Sequence, residues 1–252
     1  LLACRANALA ALGDADGLAR LLAPAQWCVQ TMLGQGEAER DGLAEAILAH
    51  PDLAATSGTL ATQGRNRRLD AIGSRPDPKI RATLSLIREA VDVYVAARRG
   101  MAHPLMTRAP TAAMLQGWAL VMSEDGHEAR HIHPRSWLTA VYYLRVPAGG
   151  AAGESGAGES GAGESGESGP PPPGSLVFGP WPTQTRAATG ASAVPALHAS
   201  AVPAWHIMPR AGMLAIFPSF FAHGTVPTGV AEPRLCLSLD VVPCAPPAAP
   251  AA

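Results

Sequence analysis

The clearest hydrophobic pattern in the chain runs from Asp77 to Gly100. Its apolar residues recur at intervals of three and four and so share one side of a helix: Ile80, Leu84, Ile87, Val91 and Tyr94. Asp77 followed by Pro78 is typical of a helix start, and Gly100 of a helix end. Because Ala and Leu dominate the remainder of the first hundred residues, we predict that this whole region is helical.

After about residue 115 the pattern changes to short apolar runs bounded by Gly or Pro. The run Trp137 to Leu144 (WLTAVYYL) is β-branched and aromatic with both faces apolar, which is typical of a strand buried on both sides. Similar runs follow at 174–179, 204–209, 212–218 and 234–242. Short strands without intervening helices predict a sandwich or barrel, so the fold class is mainly β with a helical N-terminal part.

Residues 151–173 read AAGESGAGESGAGESGESGPPPP and contain almost nothing that could be buried. Such a segment cannot offset the entropy of ordering, which predicts a disordered insertion between strands. A second irregular loop is expected from Thr185 to Ala204. We therefore expect three parts: a helical region at 1–114, a β domain at 115–244 with a disordered insertion at 149–173, and a disordered tail at 245–252.

The composition narrows the possible functions. Of the 252 residues 48% are hydrophobic and 15% charged, as in a globular protein. A formal net charge of −1 argues against a general nucleic-acid or membrane-surface binder. The four cysteines lack zinc-site spacing, and neither a secretory signal nor a membrane-spanning run is seen, so we expect a cytoplasmic protein. The absence of an initiator Met suggests a fragment or a processed product.

The stretch GHEARHIHPRSW, residues 126–137, concentrates histidines. His131 and His133 are two residues apart, and on a strand such residues point to the same side. Imidazole is a ligand for iron, zinc, copper and nickel, so the pair predicts a metal site. The alternative is a polar loop in which histidines happen to cluster. A further histidine, His223, follows a later strand.

In RLCLSLD, residues 234–240, apolar and polar positions alternate. Arg234, Cys236, Ser238 and Asp240 share one face of the predicted strand. In an apolar domain such a face is either the outer surface or the lining of a site.

The order of these motifs resembles the Fe(II)/2-oxoglutarate-dependent dioxygenases, and more specifically a family of 2-oxoglutarate/Fe(II) oxygenases often attached to tetratricopeptide repeats in bacterial proteins. The resemblance covers roughly residues 118–243, including GHEARHIHPRSWLTAVYYLRVP, MPRAGMLAIFPSFFAHGTVP and EPRLCLSLDVVP. It implies a double-stranded β-helix (a jelly roll like that of the cupins), with Fe(II) as cofactor and 2-oxoglutarate as cosubstrate. It also implies hydroxylation of a substrate C–H bond with release of succinate and CO2.

When the family's motif is matched to this sequence, the resemblance implies that His131, His133 and His223 are the iron ligands. Arg234 would bind the far carboxylate of 2-oxoglutarate. Thr139 and Tyr143 occupy positions that hold the cosubstrate in some relatives, although Tyr143 could equally be a core residue. Ser238, on the face of Arg234, is a further candidate for cosubstrate binding.

Two positions depart from the pattern of the resemblance. His133 stands where relatives have Asp or Glu, which leaves Glu128 or His127 as alternative ligands. Cys236 stands where relatives often have Ser, and a thiol is a weaker hydrogen-bonding group.

Two other functions therefore remain open. One is a cupin-like three-histidine metal site that does not use 2-oxoglutarate, and the other is a catalytically degenerate binding module. The substrate could be a small molecule, a peptide or a protein. Repeats could precede the chain.

Overall fold

The computed structural model describes residues 1–56, 61–148, 170–179 and 205–245. The predicted disordered insertion and second irregular loop lie almost wholly outside these ranges, as does the tail beyond residue 245. The helices are α1 (Leu2–Leu12), α2 (Ala15–Leu22), α3 (Pro24–Trp27), α4 (Glu37–Leu48), α5 (Pro78–Arg98) and α6 (Pro104–Thr107), with a 3-10 turn at Ile72–Ser74. Among the described residues, no helix is long and apolar enough to cross a membrane.

Helix α5 confirms the clearest sequence prediction. The Asp77 carboxylate accepts hydrogen bonds from the Lys79 and Ile80 backbone N–H groups at 2.8 and 3.1 Å, as a capping residue should. Four residues of the predicted apolar stripe are buried, and Leu84 is half-buried. At the far end the Tyr94 hydroxyl donates to the Trp27 carbonyl at 2.8 Å, which joins α5 to α3.

The strands are β1 (Val29–Met32), β2 (Thr62–Gln63), β3 (Asn66–Leu69), β4 (Ala113–Met122), β5 (His127–Glu128), β6 (Leu138–Arg145), β7 (Leu176–Phe178), β8 (Trp205–Ile207), β9 (Met213–Pro218), β10 (His223–Thr225) and β11 (Arg234–Pro243). The five sequence-predicted strands correspond to β6, β7, β8, β9 and β11. As predicted, β6 is buried on both faces, since every residue from Leu138 to Leu144 is buried.

Within the described residues the strands form antiparallel sheets. A six-stranded sheet has the order β1-β9-β6-β11-β4-β3, a three-stranded sheet the order β10-β7-β8, and β2 pairs with β5. The two larger sheets meet where the Phe178 ring packs edge-on against the Phe217 ring, with centroids 4.9 Å apart. His223 lies at the same place, 4.7 Å from Phe217, so one candidate metal ligand sits between the sheets.

The prediction of an entirely helical N-terminal region is wrong at three strands. β1 pairs with β9 and β3 pairs with β4, so these strands form the two outer edges of the six-stranded sheet, while β2 pairs with β5. Each spans at most four residues and shows little apolar alternation. Their strand conformation comes from pairing with distant segments, which local pattern does not reveal.

Candidate metal centre and cosubstrate cavity

Backbone pairing brings the three histidines together. His131 and His223 form an isolated antiparallel bridge, with N–H to carbonyl distances of 2.9 and 3.0 Å. The His133 N–H donates to the Ser219 carbonyl at 3.0 Å, in the loop just before β10. Candidate ligand atoms of the three side chains all lie within 4.8 Å of one another. The segment between β5 and β6 therefore faces the start of β10 across a three-ring cluster.

The same bridge depends on Gly224. A Cβ added there would lie 2.7 Å from the Glu128 carbonyl oxygen and 3.1 Å from the Arg130 backbone nitrogen. Both contacts are tighter than side chains normally make with backbone atoms. Glycine thus allows β10 to approach the histidine-bearing segment closely enough for the rings to converge.

The outer nitrogen of each ring faces an acceptor. Nδ1 of His131 lies 2.8 Å from the Ala129 carbonyl oxygen, and Nδ1 of His223 lies 2.9 Å from that of Phe221. Nδ1 of His133 lies 2.7 Å from Oδ1 of Asp240. The backbone carbonyls favour a proton on Nδ1 of His131 and His223, so Nε2 of each neutral ring carries a lone pair, and the nearby Asp240 carboxylate favours the same tautomer of His133.

Two of these lone pairs face each other, because the Nε2 atoms of His131 and His133 are only 3.0 Å apart. Two acceptors at that distance repel unless a cation lies between them. Nitrogen atoms bound to one metal ion at about 2.1 Å are separated by about 3 Å when the N–metal–N angle is near 90°. The donor set therefore fits a divalent transition metal.

Burial keeps two of these rings, His131 and His223, in the neutral form that binds metal. Burial lowers the pKa of His223 well below its ordinary value, and the neighbouring His131 and His133 lower it further. Burial also lowers the pKa of His131, although nearby Glu128 opposes this effect. Neutral imidazole is the ligating form, so His131 and His223 can bind a metal without first losing a proton.

Glu128 and His127 are the alternative ligands raised by the sequence. Oε2 of Glu128 lies 3.3 Å from Nε2 of His131, while Oε1 accepts a hydrogen bond from Thr62 at 2.6 Å. His127 lies outside the cluster, with its Nδ1 2.8 Å from the Asp125 carbonyl oxygen. The described geometry thus groups His133, and not these residues, with His131 and His223.

Arg234 lines a small cavity whose wall also includes His131 and His223. It is 1% exposed and lies at the start of β11, where Nη1 donates to the Gly174 carbonyl at 2.8 Å. Its Nε is buried and has no hydrogen-bond partner in the described part of the chain. A guanidinium with an unpaired N–H, in the wall of a cavity that also reaches His131 and His223, suits a carboxylate ligand.

The remaining cosubstrate candidates differ in position. Tyr143 and Ser238 line this cavity, as does Cys236, so part of the polar face of β11 lines an internal space and not the outer surface. Burial raises the pKa of Cys236 to about 12, so the residue is a neutral thiol. Thr139 is fully buried beside Asp240 and does not appear in the cavity wall.

The cavity has a volume of about 20 Å³, room for little more than one water molecule. The polar groups fit a dicarboxylate, but side chains such as Met122 and Leu176 must move to admit one. A second, more open cavity of about 280 Å³ adjoins the other side of the rings. Its wall includes His131, His133 and Trp118, with the Arg68 guanidinium 3.9 Å above the Trp118 ring.

A sequence model of the family described as "Putative 2OG-Fe(II) oxygenase" matches residues 116–240. This segment belongs to the 2OG-Fe(II) oxygenase family. The oxygenase segment contains the three histidines and Arg234, and the family uses Fe(II) and 2-oxoglutarate, as the sequence predicted. A search of curated proteins found no match.

Solved structures show the same fold. A prolyl-4-hydroxylase from Pseudomonas putida is 13% identical over 92% of this chain and 100% of its own, with a TM-score of 0.53. The α-ketoglutarate-dependent epimerase SnoN is 18% identical over 92% and 82%, with a TM-score of 0.54. HygX from Streptomyces hygroscopicus, solved with nickel, 2-oxoglutarate and hygromycin B, is 13% identical over 87% and 84%, with a TM-score of 0.51. At these identities the likeness concerns the fold alone.

Asp240 is the site residue that sequence reasoning missed. The alternation of β11 placed it on the polar face, but its contact with His133 joins positions far apart in the chain. Gly224 was also missed, because a lone glycine after a histidine gives no sign that another backbone passes close by.

Proposed function

We propose that the protein is an Fe(II)- and 2-oxoglutarate-dependent dioxygenase that hydroxylates a substrate C–H bond and releases succinate and CO2. The observation that carries the proposal is the convergence of three histidine side chains, two of them with Nε2 atoms 3.0 Å apart, beside a cavity lined by the buried Arg234. Fe(II) with 2-oxoglutarate would supply the activation of oxygen and the oxidising power.

The protein's own residues would bind and orient the reactants. His131, His133 and His223 would hold the metal through Nε2. Arg234 would bind the far carboxylate of 2-oxoglutarate through its free Nε–H, and Tyr143 and Ser238 would contact the cosubstrate from β6 and β11. The open cavity beside His133 would receive the substrate, so cosubstrate and substrate would approach the metal from different sides.

We also infer that the two larger sheets form a double-stranded β-helix. Along the chain from β4 to β11, strands β4, β6, β9 and β11 belong to one sheet and β7, β8 and β10 to the other. The short strand β5 lies next to β10, at the bridge between His131 and His223. This order is the one expected when a strand hairpin is wound into two facing sheets, as in jelly rolls.

Turnover of 2-oxoglutarate tests the proposal directly. After anaerobic reconstitution with Fe(II), addition of oxygen and 2-oxoglutarate should release succinate slowly, even without the substrate. His223→Ala should abolish this release, because it removes one of the three ligands. Wild-type protein that binds one equivalent of metal and consumes no 2-oxoglutarate would contradict the proposal.

The small cavity volume favours one second candidate, a three-histidine metal site that works without 2-oxoglutarate. Such a site would use a metal-activated water. Activity that is indifferent to added 2-oxoglutarate would support it. The substrate class, a cytoplasmic location and attachment to upstream repeats stay predictions from the sequence.

A further inference from the structure

We propose that Asp240 is a positioning residue for the metal centre. It would hold His133 in the tautomer and orientation needed for ligation, and supply negative charge from just outside the ligand shell. The inference rests on the proposed function, because it places a metal ion between the three rings.

A carboxylate at Nδ1 distinguishes His133 from the other two histidines, since the Glu128 carboxylate near His131 lies at Nε2. The Nδ1 atoms of His131 and His223 face neutral backbone carbonyls. Nδ1 of His133 faces a carboxylate at 2.7 Å, and the two side chains are only 5% and 15% exposed. Limited exposure reduces solvent screening, so the charge of the carboxylate acts on the imidazole with little attenuation.

Asp240 is fixed in place by its strand. It lies in the centre of the six-stranded sheet, paired with Thr139 of β6 on one side and Gln116 of β4 on the other. The Trp118 ring lies nearly parallel to the His133 ring, with centroids 6.0 Å apart and planes 8° apart. The indole would limit tilting of the imidazole, and the carboxylate would favour the tautomer whose Nε2 faces the proposed metal.

Asp240 places a negative charge beside a site whose three candidate ligands are all imidazoles. Non-haem iron sites often include one carboxylate ligand, which cancels part of the metal charge. A carboxylate on the far side of a ligating imidazole makes its Nε2 more basic and places a negative charge one ring away. Asp240 would therefore carry out, through His133, part of the task of a carboxylate ligand.

The affinity for a metal ion, which can be measured without catalytic turnover, tests the role of Asp240. Full-length wild-type protein, Asp240→Ala and the isosteric Asp240→Asn are titrated with Co(II) against a competing chelator. Asp92→Asn is the control, since Asp92 is exposed on α5 and the substitution makes the same charge change. Asp240→Ala should weaken Co(II) binding by about 10- to 100-fold, Asp240→Asn should do so less, and Asp92→Asn should have no effect.

A spectroscopic signature separates positioning from general destabilisation. In the Co(II) protein each ligating ring with a proton on Nδ1 should give one exchangeable, strongly shifted N–H resonance, three in all. In Asp240→Ala the His133 resonance should be lost to exchange with water, while those of His131 and His223 remain. Asp240→Asn, which keeps an acceptor without the charge, should retain three resonances with weaker binding.

The proposal is overturned if Asp240→Ala binds Co(II) as tightly as wild-type protein and keeps all three resonances. Loss of all three resonances together in the folded variant would also overturn it, because the effect would not act through His133. A wild-type protein that binds Co(II) with three such resonances, but never consumes 2-oxoglutarate, would refute the proposed function and leave the role of Asp240 intact.

Discussion

At the scale of single residues, the site is organised by groups that are buried and incompletely paired. Arg234 is the clearest case, since its guanidinium is almost fully buried and its Nε lacks a partner among the described residues. A buried charge without a full set of hydrogen-bond partners is costly unless a ligand supplies the missing partner. A dianionic cosubstrate would supply the missing partner of the Arg234 guanidinium.

Arg234→Leu tests this interpretation. The cosubstrate carboxylate would then be buried without a partner, which costs roughly 3–5 kcal/mol, so the affinity for 2-oxoglutarate should fall by about a hundredfold or more. Binding is measured by calorimetry on the anaerobic metal-loaded protein. Arg145→Leu is the matched control, because Arg145 pairs with Glu45 on the surface at 2.6 Å, away from the cavity. Unchanged affinity in Arg234→Leu would remove Arg234 from the cosubstrate site.

At the scale of elements, the metal centre depends on two short segments that approach each other closely. His131 and His223 pair through their backbones, and Gly224 leaves no room for a side chain at the crossing. The longer strands of the six-stranded sheet carry Arg234, Tyr143 and Asp240, so the other half of the site is held by regular pairing.

Gly224→Ala should separate these segments. Its Cβ would meet backbone atoms that cannot rotate away, so the chain must shift, at a cost of about 1–3 kcal/mol in the free energy of unfolding. The shift should also weaken Co(II) binding. Urea denaturation and metal titration measure the two effects. Gly34→Ala serves for comparison, since an added Cβ there meets nothing within 4 Å. Equal behaviour of the two variants would contradict the close approach.

At the scale of the whole molecule, much of the fold was predictable from the sequence, but the strands at the two edges of the large sheet were not. Helix α5 followed from the periodicity of its apolar residues, and strands β6, β7, β8, β9 and β11 followed from short apolar runs bounded by Gly or Pro. Strands β1 and β3 were missed because pairing with residues far along the chain determines them. Likewise the spacing of His131 and His133 in the sequence was enough to predict a metal site. The contact between His133 and Asp240 exists only in the folded chain, so the sequence could not reveal it.

His103 links helix α2 to the start of helix α6. Its Nε2–H donates to the Leu21 carbonyl at 3.0 Å, and its Nδ1 accepts from the Leu105 N–H at 3.1 Å. Burial lowers the pKa of His103, although the hydrogen bond to the Leu21 carbonyl raises it in part. A proton on Nδ1 would face another N–H group, so the folded protein favours the neutral ring.

The stability of the protein should therefore depend on pH through His103. A folded pKa below the unfolded value of about 6.5 leaves the stabilisation complete above that pH, and it is lost as the pH falls from there toward the folded pKa. The slope is at most about 1.4 kcal/mol per pH unit for one group. Urea denaturation of metal-free wild-type protein and His103→Gln between pH 8 and 5 (about three units) measures it.

Since the other histidines titrate in both proteins, the difference between the two curves reports His103 alone. The advantage of the wild-type protein should shrink as the pH falls. Parallel curves would mean that His103 does not contribute in this way.

The two outer strands of the six-stranded sheet, β1 and β3, also limit how far the chain can be shortened. The family match begins inside β4 and ends inside β11, so a protein cut to residues 116–240 would lose β1 and β3. The backbone N–H and carbonyl groups of β9 and β4 that now pair with them would face water along two open edges. Open edges recruit strands from other molecules. The shortened protein would keep the candidate metal ligands, but its two open edges would make it prone to self-association.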